Sequence, residues 1–234
     1  MIKQALILCG GKGTRFRSVS QSPKILAKIN NRFFIDLLIE YLWNQGITSF
    51  IFATGYKSEE IVQHLKRYDE LDYVISHETN ELGTGGAIIN AYKYLNNERI
   101  LVVNGDTYFA EQLPSSLIDP HASSLVCGVR KIEQNDRYGT VSINGGKIRF
   151  ERGSPDNFIQ NSFVFCGIIS FHKKMLPYSY VKDDIDPISL EELAVEMSNT
   201  HEVLFSEFKH DFIDYGIPKD YHRLLKLISS EKKC

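Results

Sequence analysis

The chain has 234 residues, and its 43% hydrophobic and 24% charged content is ordinary for a globular protein that buries a core of its own. A formal net charge of −2 argues against the strongly basic surface that binds nucleic acid or an anionic membrane. The four cysteines lie far apart with no CxxC pair, which argues against a disulfide framework or a zinc site and favours a reducing, cytoplasmic setting. We expect no signal peptide and no membrane span, because a strand begins within the first residues and no apolar run approaches ~20 residues.

The first half of the chain alternates short apolar strands with amphipathic helices. Strands are predicted at residues 5–8, 49–53, 73–76 and 100–103, and helices at 33–42, from 58 onward and from 83 to about 95. Ser58 is interpreted as the N-cap of its helix, with Glu59 and Glu60 in the first turn. The alternation predicts a largely parallel sheet with helices on both faces.

The second half has the pattern of antiparallel pairing. Strands are predicted at residues 123–130, 140–143, 147–151 and 163–171, with a hairpin turn at 144–146, NGG. A helix is predicted at about 189–197, and Pro218 suits the first turn of a final helix. We therefore expect a single α/β domain over residues 1–234. Its Rossmann-like central sheet should be mixed and mostly parallel, with helices on both faces and a small antiparallel elaboration.

A glycine loop follows the first strand, in the segment 9–15, CGGKGTR. Glycine has no Cβ, so a phosphate can lie against its backbone N–H groups, and Arg15 adds a fork of donors for oxygen anions. The alternative is a strand-to-helix turn that needs glycine for geometry alone. The dinucleotide pattern GxGxxG fails because Phe16 stands three residues after Gly13, and the P-loop pattern has no match. Neither hydride transfer nor γ-phosphoryl transfer is predicted.

Two further clusters stand at predicted strand ends, at 83–86, GTGG, and at 104–106, NGD. Ligands of open α/β sheets gather beyond the carboxyl ends of the strands, so three such clusters predict a site there. A carboxylate such as Asp106, at the end of a buried strand, must be solvated, paired or bound to a metal. Magnesium prefers one or two carboxylates with phosphate oxygens, and Asp214 is the best second acid, although either aspartate alone could be a cap. Lys24, just past the glycine loop, could reach the same phosphates or be a solvated loop lysine.

Five segments occur in an order that is more specific than any one of them. They are 9–16, CGGKGTRF; 23–26, PKIL; 82–87, LGTGGA; 104–106, NGD; and 212–218, FIDYGIP. Together they resemble the sugar-1-phosphate nucleotidylyltransferases, and among these are most like the D-glycero-D-manno-heptose 1-phosphate guanylyltransferases. The resemblance covers nearly the whole chain. It implies a GT-A-like nucleotidyltransferase fold, with a nucleotide-binding half at about 1–110 and a sugar-phosphate half at about 111–234.

The resemblance implies a Mg²⁺-dependent reaction of GTP with D-glycero-D-manno-heptose 1-phosphate, giving a nucleotide-sugar for surface-polysaccharide synthesis and pyrophosphate. Arg15 would steady the leaving pyrophosphate and Lys24 would bind phosphate near the reacting centre, as the catalytic residues. Asp106 and Asp214 would hold Mg²⁺. The implied nucleotide-binding residues are Leu8, Cys9, Gly10, Gly11, Gly13, Thr14, Glu78, Gly83, Thr84 and Gly85. A homodimer is expected on the same ground.

The sugar side departs from the family pattern. The implied sugar-phosphate residues are Asn104, Gly139, Glu151, Arg152 and Gly167, with Tyr138 beside Gly139. Arg152 stands where the family carries lysine, Ile25 where it carries a second proline, and Phe165 where it carries asparagine. Phenylalanine cannot replace amide hydrogen bonds to sugar hydroxyls, so this half of the resemblance needs another donor, such as Asn161.

Three alternatives stay open on the sequence. The transferase could use UTP, dTTP or CTP with a hexose 1-phosphate or another phosphate. The altered sugar side also fits a non-catalytic sugar-nucleotide sensor, although both aspartates are retained. A glycosyltransferase of similar topology would need a DxD motif at a strand end, whereas the DxD at residues 184–186 lies in a polar loop.

Overall fold

A mixed β-sheet forms the centre of the protein. The computed structural model describes residues 1–119, 124–132, 139–151, 162–176 and 185–231. The strands in these ranges are β1 Gln4–Leu8, β2 Lys28–Ile29, β3 Arg32–Phe33, β4 Ser49–Thr54, β5 Asp72–His77, β6 Arg99–Asn104, β7 Thr107–Phe109, β8 Ser124–Ile132, β9 Thr140–Asn144, β10 Lys147–Glu151, β11 Ser162–His172, β12 Glu202–Phe208 and β13 Phe212–Asp214. The α-helices are α1 Phe34–Trp43, α2 Ser58–Leu65, α3 Gly83–Asn90, α4 Ser115–Ile118, α5 Leu190–Met197 and α6 Pro218–Glu231. Single 3₁₀ turns occur at Thr14–Phe16, Lys24–Leu26, Tyr92–Tyr94 and Lys173–Met175.

The parallel part of the sheet has the order β6-β1-β4-β5. Strand β1 pairs in parallel with both β4 and β6, and β4 pairs in parallel with β5. The carboxyl ends of these strands therefore meet at one edge of the sheet, and the prediction of a largely parallel first half is confirmed. The three loops singled out in the sequence all start from this edge.

The antiparallel part is built on the long strand β11. It pairs antiparallel with β6, β8 and β9, and it carries a register shift between Phe165 and Ile169. Strands β9 and β10 form the predicted hairpin, in which Gly145 and Gly146 have φ of +57° and +78°. Two positive φ values suit a two-residue hairpin turn, which is why this turn needs glycine.

Apolar side chains cover both faces of the sheet. In β1 they alternate: Ala5 and Ile7 belong to one buried cluster, and Leu6 and Leu8 to the other. The first cluster includes residues of α1, α2 and α6, and the second includes residues of α3 and α5. A strand buried on both faces reads as a continuous apolar run, which explains the sequence ALIL.

The structure corrects several local predictions. Ser58 is the first helical residue and not the N-cap: Lys57 is the N-cap, with φ of +51°, and the Ser58 hydroxyl donates to Thr54 Oγ1 at 2.7 Å. The helix predicted to reach about residue 95 ends at Asn90, and a 3₁₀ turn follows, as is common at helix ends. Strands β2, β3, β7 and β13 have two or three residues each, too few to show a period in the sequence. Strand β12, which pairs in parallel with β8, was also not predicted.

The second-half helices begin as predicted. Ser189 caps α5 in a reciprocal capping box with Glu192, and Pro218 opens α6. In the described parts of the chain, no helix combines the length and apolar character that crossing a membrane requires.

Candidate active site

Backbone hydrogen bonds join the loops at the carboxyl edge of the sheet. Leu8 and Asn104 are register partners at the ends of β1 and β6, and the Gly105 N–H donates to Leu8 O at 2.8 Å. The Cys9 N–H donates to Ala53 O at 2.9 Å. The glycine loop and the segment 104–106 therefore lie side by side, as the sequence predicted.

These loops surround a first cavity of about 740 Å³. It brings together many of the residues predicted to bind nucleotide or phosphate, namely Leu8, Cys9, Gly10, Gly11, Gly13, Lys24, Glu78, Gly83, Thr84, Asn104 and Asp106. Thr14, Arg15 and Gly85 are not among the residues that line it. We call this the first cavity below.

The positions of the glycines in the loop require or accept glycine for different structural reasons. Gly13 has φ of +55°, a left-handed conformation that glycine adopts at little cost. A Cβ on Gly10 would stand 2.6 Å from Glu78 Oε1, so this position needs glycine to make room for a carboxylate. A Cβ on Gly11 would meet nothing within 4 Å, and this residue is exposed to the cavity. The backbone at Gly11 is therefore the part of the loop that a ligand can approach.

Glu78 is wedged into the wall of the first cavity. Its Oε1 lies against Gly10 and also against Gly55, where a Cβ would be 2.5 Å away. Its Oε2 is buried and has no hydrogen-bond partner among the described residues. Burial raises the pKa of this carboxyl, and the nearby charge of Glu81 adds to the shift, while a hydrogen bond from the Leu82 backbone opposes it. An acceptor in this position is unsatisfied until a donor enters the cavity.

The segment LGTGG packs against another part of the chain as well as the cavity. A Cβ on Gly85 would stand 2.4 Å from Ser189 O, and a Cβ on Gly83 would stand 2.5 Å from Ile188 O. Ile188 O accepts hydrogen bonds from the N–H groups of Gly85 and Gly86, and Thr84 Oγ1 accepts one from Leu190 at 2.8 Å. Gly85 is buried in this contact, whereas Gly83 and Thr84 stay exposed on the cavity lining. Close backbone packing therefore explains the buried glycines of this motif.

Lys24 and Asp106 form a largely buried ion pair on the lining of the first cavity. Lys24 Nζ donates to Asp106 Oδ2 at 2.5 Å, and the two side chains are 20% and 22% exposed. Tyr215, which is fully buried, donates its hydroxyl to Lys24 O at 3.0 Å and its N–H to Asp106 O at 3.1 Å. Tyr215 thus fixes the backbone of both charged residues, a role that the sequence did not reveal.

Asp214 lies beside this ion pair. It is the register partner of Thr107, the residue after Asp106, in the short β7–β13 ribbon. Its Oδ1 accepts the Gly216 N–H at 2.8 Å, and a Cβ on Gly216 would stand 3.5 Å from Lys24 Nζ. The structure therefore brings together the two predicted metal-binding aspartates and Lys24.

The donor set at this point fits one kind of metal site. Among the described residues there is no group of three or more acidic, histidine or cysteine side chains that could enclose a metal ion. Asp106 and Asp214 instead provide two carboxylates on either side of Lys24, Asp106 on the first cavity and Asp214 on a second cavity described below. This matches Mg²⁺, which is usually bound by one or two carboxylates together with substrate phosphates.

A second cavity of about 1240 Å³ opens on the other side of Asn104. The predicted residues that line it are Arg15, Asn104, Gly139, Glu151, Gly167 and Asp214. Asn104 lines both cavities, and so links them. Arg15, predicted from the glycine loop, is on the side of the predicted sugar-phosphate residues.

Gly167 and Asn104 make a close contact at the junction of the cavities. Gly167 has φ of +70°, within the register shift of β11, and a Cβ there would stand 2.5 Å from Asn104 Nδ2. Asn104 Oδ1 is buried and has no hydrogen-bond partner among the described residues. The amide is therefore held by packing and presents an unsatisfied acceptor.

Part of the wall of the second cavity was missed in the sequence. Phe150 and Phe165 pack edge to face with their ring centroids 5.6 Å apart. Residues of α5 and the segment before it supply carboxylates, among them Asp186 and Glu191. Phe165 stands out in the sequence as a departure from the family pattern and Asp186 as the end of the DxD segment, but no motif marks Phe150 or Glu191, and only the fold brings α5 to this place. Arg152, Tyr138 and Asn161 lie outside the described residues.

Two residues of the first cavity were also missed. Gly55 and Tyr56 follow β4, and the Tyr56 N–H donates to Gly10 O at 3.0 Å. The signal was present, because a glycine at the end of a parallel strand is the pattern already used for the other loops. Cys9 also lies on the lining, but burial raises the pKa of its thiol, and its Sγ donates to Ala53 O. It is a packed thiol and not a nucleophile.

The chain is similar to known proteins along almost its whole length. Residues 4–231 match the model of the nucleotidyl transferase family. The chain is 34% identical to a D-glycero-alpha-D-manno-heptose 1-phosphate guanylyltransferase of Campylobacter jejuni, over 95% of this chain and 98% of that protein. It is also 34% identical to the protein of the same description from Aneurinibacillus thermoaerophilus, over 95% and 97% of the two chains.

Solved structures are also similar to this chain over almost its whole length. The crystal structure of HddC from Yersinia pseudotuberculosis, complexed with GMP-PN, is 30% identical and has a TM-score of 0.76, covering 97% of this chain and all of that one. A UTP-bound UGPase from Acinetobacter baumannii has a TM-score of 0.79 at 18% identity, over 99% and 94% of the two chains, which shows a shared fold.

Proposed function

The chain belongs to the nucleotidyl transferase family, and from this premise we propose that it transfers a guanylyl group from GTP to a heptose 1-phosphate. The relatives described as D-glycero-alpha-D-manno-heptose 1-phosphate guanylyltransferases match this chain along almost its whole length and theirs. The products are the GDP-sugar and pyrophosphate. We place the nucleotide-binding half at about residues 1–110 and the sugar-phosphate half at about 111–234.

The proposed reaction is an in-line displacement at the α-phosphorus of GTP. An oxygen of the sugar 1-phosphate forms the new bond to phosphorus, and the bond from phosphorus to the bridging oxygen of pyrophosphate breaks with its electron pair. Such chemistry depends mainly on positioning and on stabilising charge. The junction at Asn104, which lines both cavities, supports this arrangement because the two substrates would meet there.

In this proposal the glycine loop and Lys24 hold phosphate oxygens, and Tyr215 keeps Lys24 in place. Arg15 reaches the phosphates from the second cavity, and Asn104 offers its acceptor to a sugar hydroxyl. Asp106 and Asp214 would hold Mg²⁺, which supplies positive charge to the phosphates of both substrates when it is bound. Gly139, Glu151 and Gly167 border the sugar, and the family resemblance assigns Arg152 to the sugar phosphate.

Glu78, whose Oε2 has no hydrogen-bond partner among the described residues, selects the base in this proposal. The Watson–Crick edge of guanine presents two adjacent N–H donors, which match the two oxygens of one carboxylate. Uracil and thymine offer one imide N–H between two carbonyls, and cytosine offers an amino group beside an acceptor. A carboxylate at this position therefore favours guanine, because guanine alone places a second donor, and not a carbonyl or ring-nitrogen acceptor, beside the N–H that reaches the unpartnered oxygen.

The test is to incubate the protein and Mg²⁺ with each nucleoside triphosphate and a panel of sugar 1-phosphates, and to measure pyrophosphate. We expect the fastest release with GTP and D-glycero-α-D-manno-heptose 1-phosphate. Equal or faster release with UTP, dTTP or CTP would contradict the guanine assignment. Tight nucleotide-sugar binding with no release from any pair would support the non-catalytic sensor instead.

The three cysteines described are free and buried, which supports a cytoplasmic location as part of the proposal.

A further inference from the structure

One ion pair crosses the mouth of the first cavity. Lys12 Nζ, in the glycine loop, lies 2.7 Å from Glu81 Oε2, which stands just before α3. Both residues line the cavity, and their side chains are 53% and 71% exposed. The pair therefore joins two walls of the cavity at its solvent side and is more exposed than the Lys24–Asp106 pair.

The charges on the cavity lining do not suit a triphosphate as they stand. Two lysines, Lys12 and Lys24, face three carboxylates, Glu78, Glu81 and Asp106, so the lining has a formal charge of −1. Each lysine is already paired with a carboxylate. A polyanion in this space gains a lysine as a full partner only if one of these pairs opens.

The two pairs differ in how easily they can release a cation. The Lys24–Asp106 pair is about four-fifths buried, and Tyr215 ties its backbone, so its rearrangement is costly. The Lys12–Glu81 pair is exposed, and exposed pairs contribute little to stability. Hydrogen bonds from an ammonium to a phosphate in a partly enclosed site are stronger. The outer pair is therefore the one that a triphosphate can open.

We propose that Lys12 is a further phosphate-binding residue, held by Glu81 before the nucleotide binds and transferred to the β- and γ-phosphates of the bound nucleoside triphosphate. Glu81 then acts as an internal competitor for Lys12. This inference rests on the proposed function for the identity of the nucleotide. The inference goes beyond the proposed function because it assigns opposite effects on nucleotide affinity to the two members of one ion pair.

The test compares the binding of GTP and GMP, measured by calorimetry at low salt, in the wild type and two variants. Lys12→Met should raise the Kd for GTP about tenfold, because a charged hydrogen bond to phosphate is lost. Glu81→Gln should lower the Kd for GTP by about two- to fivefold, because the competitor is removed. Neither variant should change the Kd for GMP by more than about twofold, since GMP has no β- or γ-phosphate.

Three controls make the result decisive. Lys12→Arg keeps the charge and should stay within about threefold of the wild type for GTP. Lys66→Met removes an exposed lysine that does not line the cavity and should change neither affinity. Unchanged GMP binding shows that each variant is folded around the base.

The inference is overturned if both variants move the GTP affinity in the same direction, if Lys12→Met has no effect on it, or if GMP binding changes as much as GTP binding. Absence of GTP binding by the wild type would also overturn it. Failure of the proposed function is a separate observation, because it appears as absent pyrophosphate release while the binding comparison is still measured.

Discussion

The two cavities that meet at Asn104 are lined by different kinds of chemical groups. The first is made mainly of loop backbone and small residues, with glycines at positions 10, 11, 13 and 83. The second is made of large side chains, with Phe150 and Phe165 on one wall and carboxylates around α5 on another. Nucleotide phosphates are the same in every nucleoside triphosphate, so backbone N–H groups suit them. Sugars differ in the placement of hydroxyls, which only side chains can distinguish.

This contrast predicts which changes affect both substrates and which affect one. The largest effect is expected at the boundary, with Asp106→Asn. It removes a carboxylate from the proposed metal site and the partner of Lys24, so kcat should fall on the order of 10³-fold. Steady-state pyrophosphate release measures it, with Asp119→Asn, which alters an exposed acid paired with the N-terminus, as the control. Near-normal kinetics would remove Asp106 from the mechanism.

Glu78→Gln should affect only the nucleotide side. The amide places a donor where guanine also has donors, so the KM for GTP should rise about 10- to 100-fold, with the KM for the sugar phosphate unchanged. Discrimination between GTP and the other triphosphates should fall as well. If the variant kept the wild-type preference for GTP, the base would be recognised elsewhere.

The pH dependence of the same residue gives an independent measurement. The ionised carboxylate accepts the guanine donors, and burial raises the pKa of Glu78 above its ordinary value. In the wild type the KM for GTP should therefore increase as the pH falls through this raised pKa. The Glu78→Gln profile should be flat over that range. The sign for stability is the reverse: ionising the buried carboxyl disfavours the folded state, so this residue's contribution to stability falls as the pH rises through the raised pKa.

Two neighbouring glycines provide a matched pair in the first cavity. Gly10→Ala would place a Cβ 2.6 Å from Glu78 Oε1 and displace that carboxylate, so the KM for GTP should rise about tenfold. Gly11→Ala meets no protein atom within 4 Å, so the folded state should accept it without a clash. Thermal unfolding and GTP kinetics of both variants test this. Equal losses of stability would contradict the packing reason given for Gly10.

The smallest effect is expected on the sugar side, with Phe165→Asn. The change removes half of the aromatic pair and adds the amide found in the family pattern. The KM for the sugar phosphate should change severalfold, since a hydrophobic contact distinguishes ligands by about 10- to 200-fold at most. The KM for GTP should stay as it is. A change in both KM values would mean that the two cavities are less separate than the structure indicates.

The same contrast explains what could be predicted from the sequence. The parallel strands, the hairpin at Gly145–Gly146, the glycine loop and the Asp106–Asp214 pair follow local patterns, because each depends on a strand end or a turn that a few residues define. Tyr215, Phe150 and Ile188 carry no such signal. They reach the site through packing between elements far apart in the chain, which a periodic pattern does not encode.

Local chemistry misled the prediction of one helix start. Ser58 has the residue type of an N-cap, but the turn after β4 places Lys57 in the left-handed conformation and moves the helix start by one residue. Gly85 carries a packing role that the sequence did not reveal, because its missing Cβ makes room for Ser189 O. Both features depend on tertiary structure, which the residue type alone does not indicate.

The segment at Ile188 has a thermodynamic consequence. Its carbonyl is bound to the N–H groups of Gly85 and Gly86 in α3, whose first turn lines one cavity, while Ile188 itself lines the other. One segment of backbone therefore links the linings of the two cavities. Whatever free energy of interaction passes through it is reciprocal, so a nucleotide that changes the affinity for the sugar phosphate by some factor has its own affinity changed by the same factor.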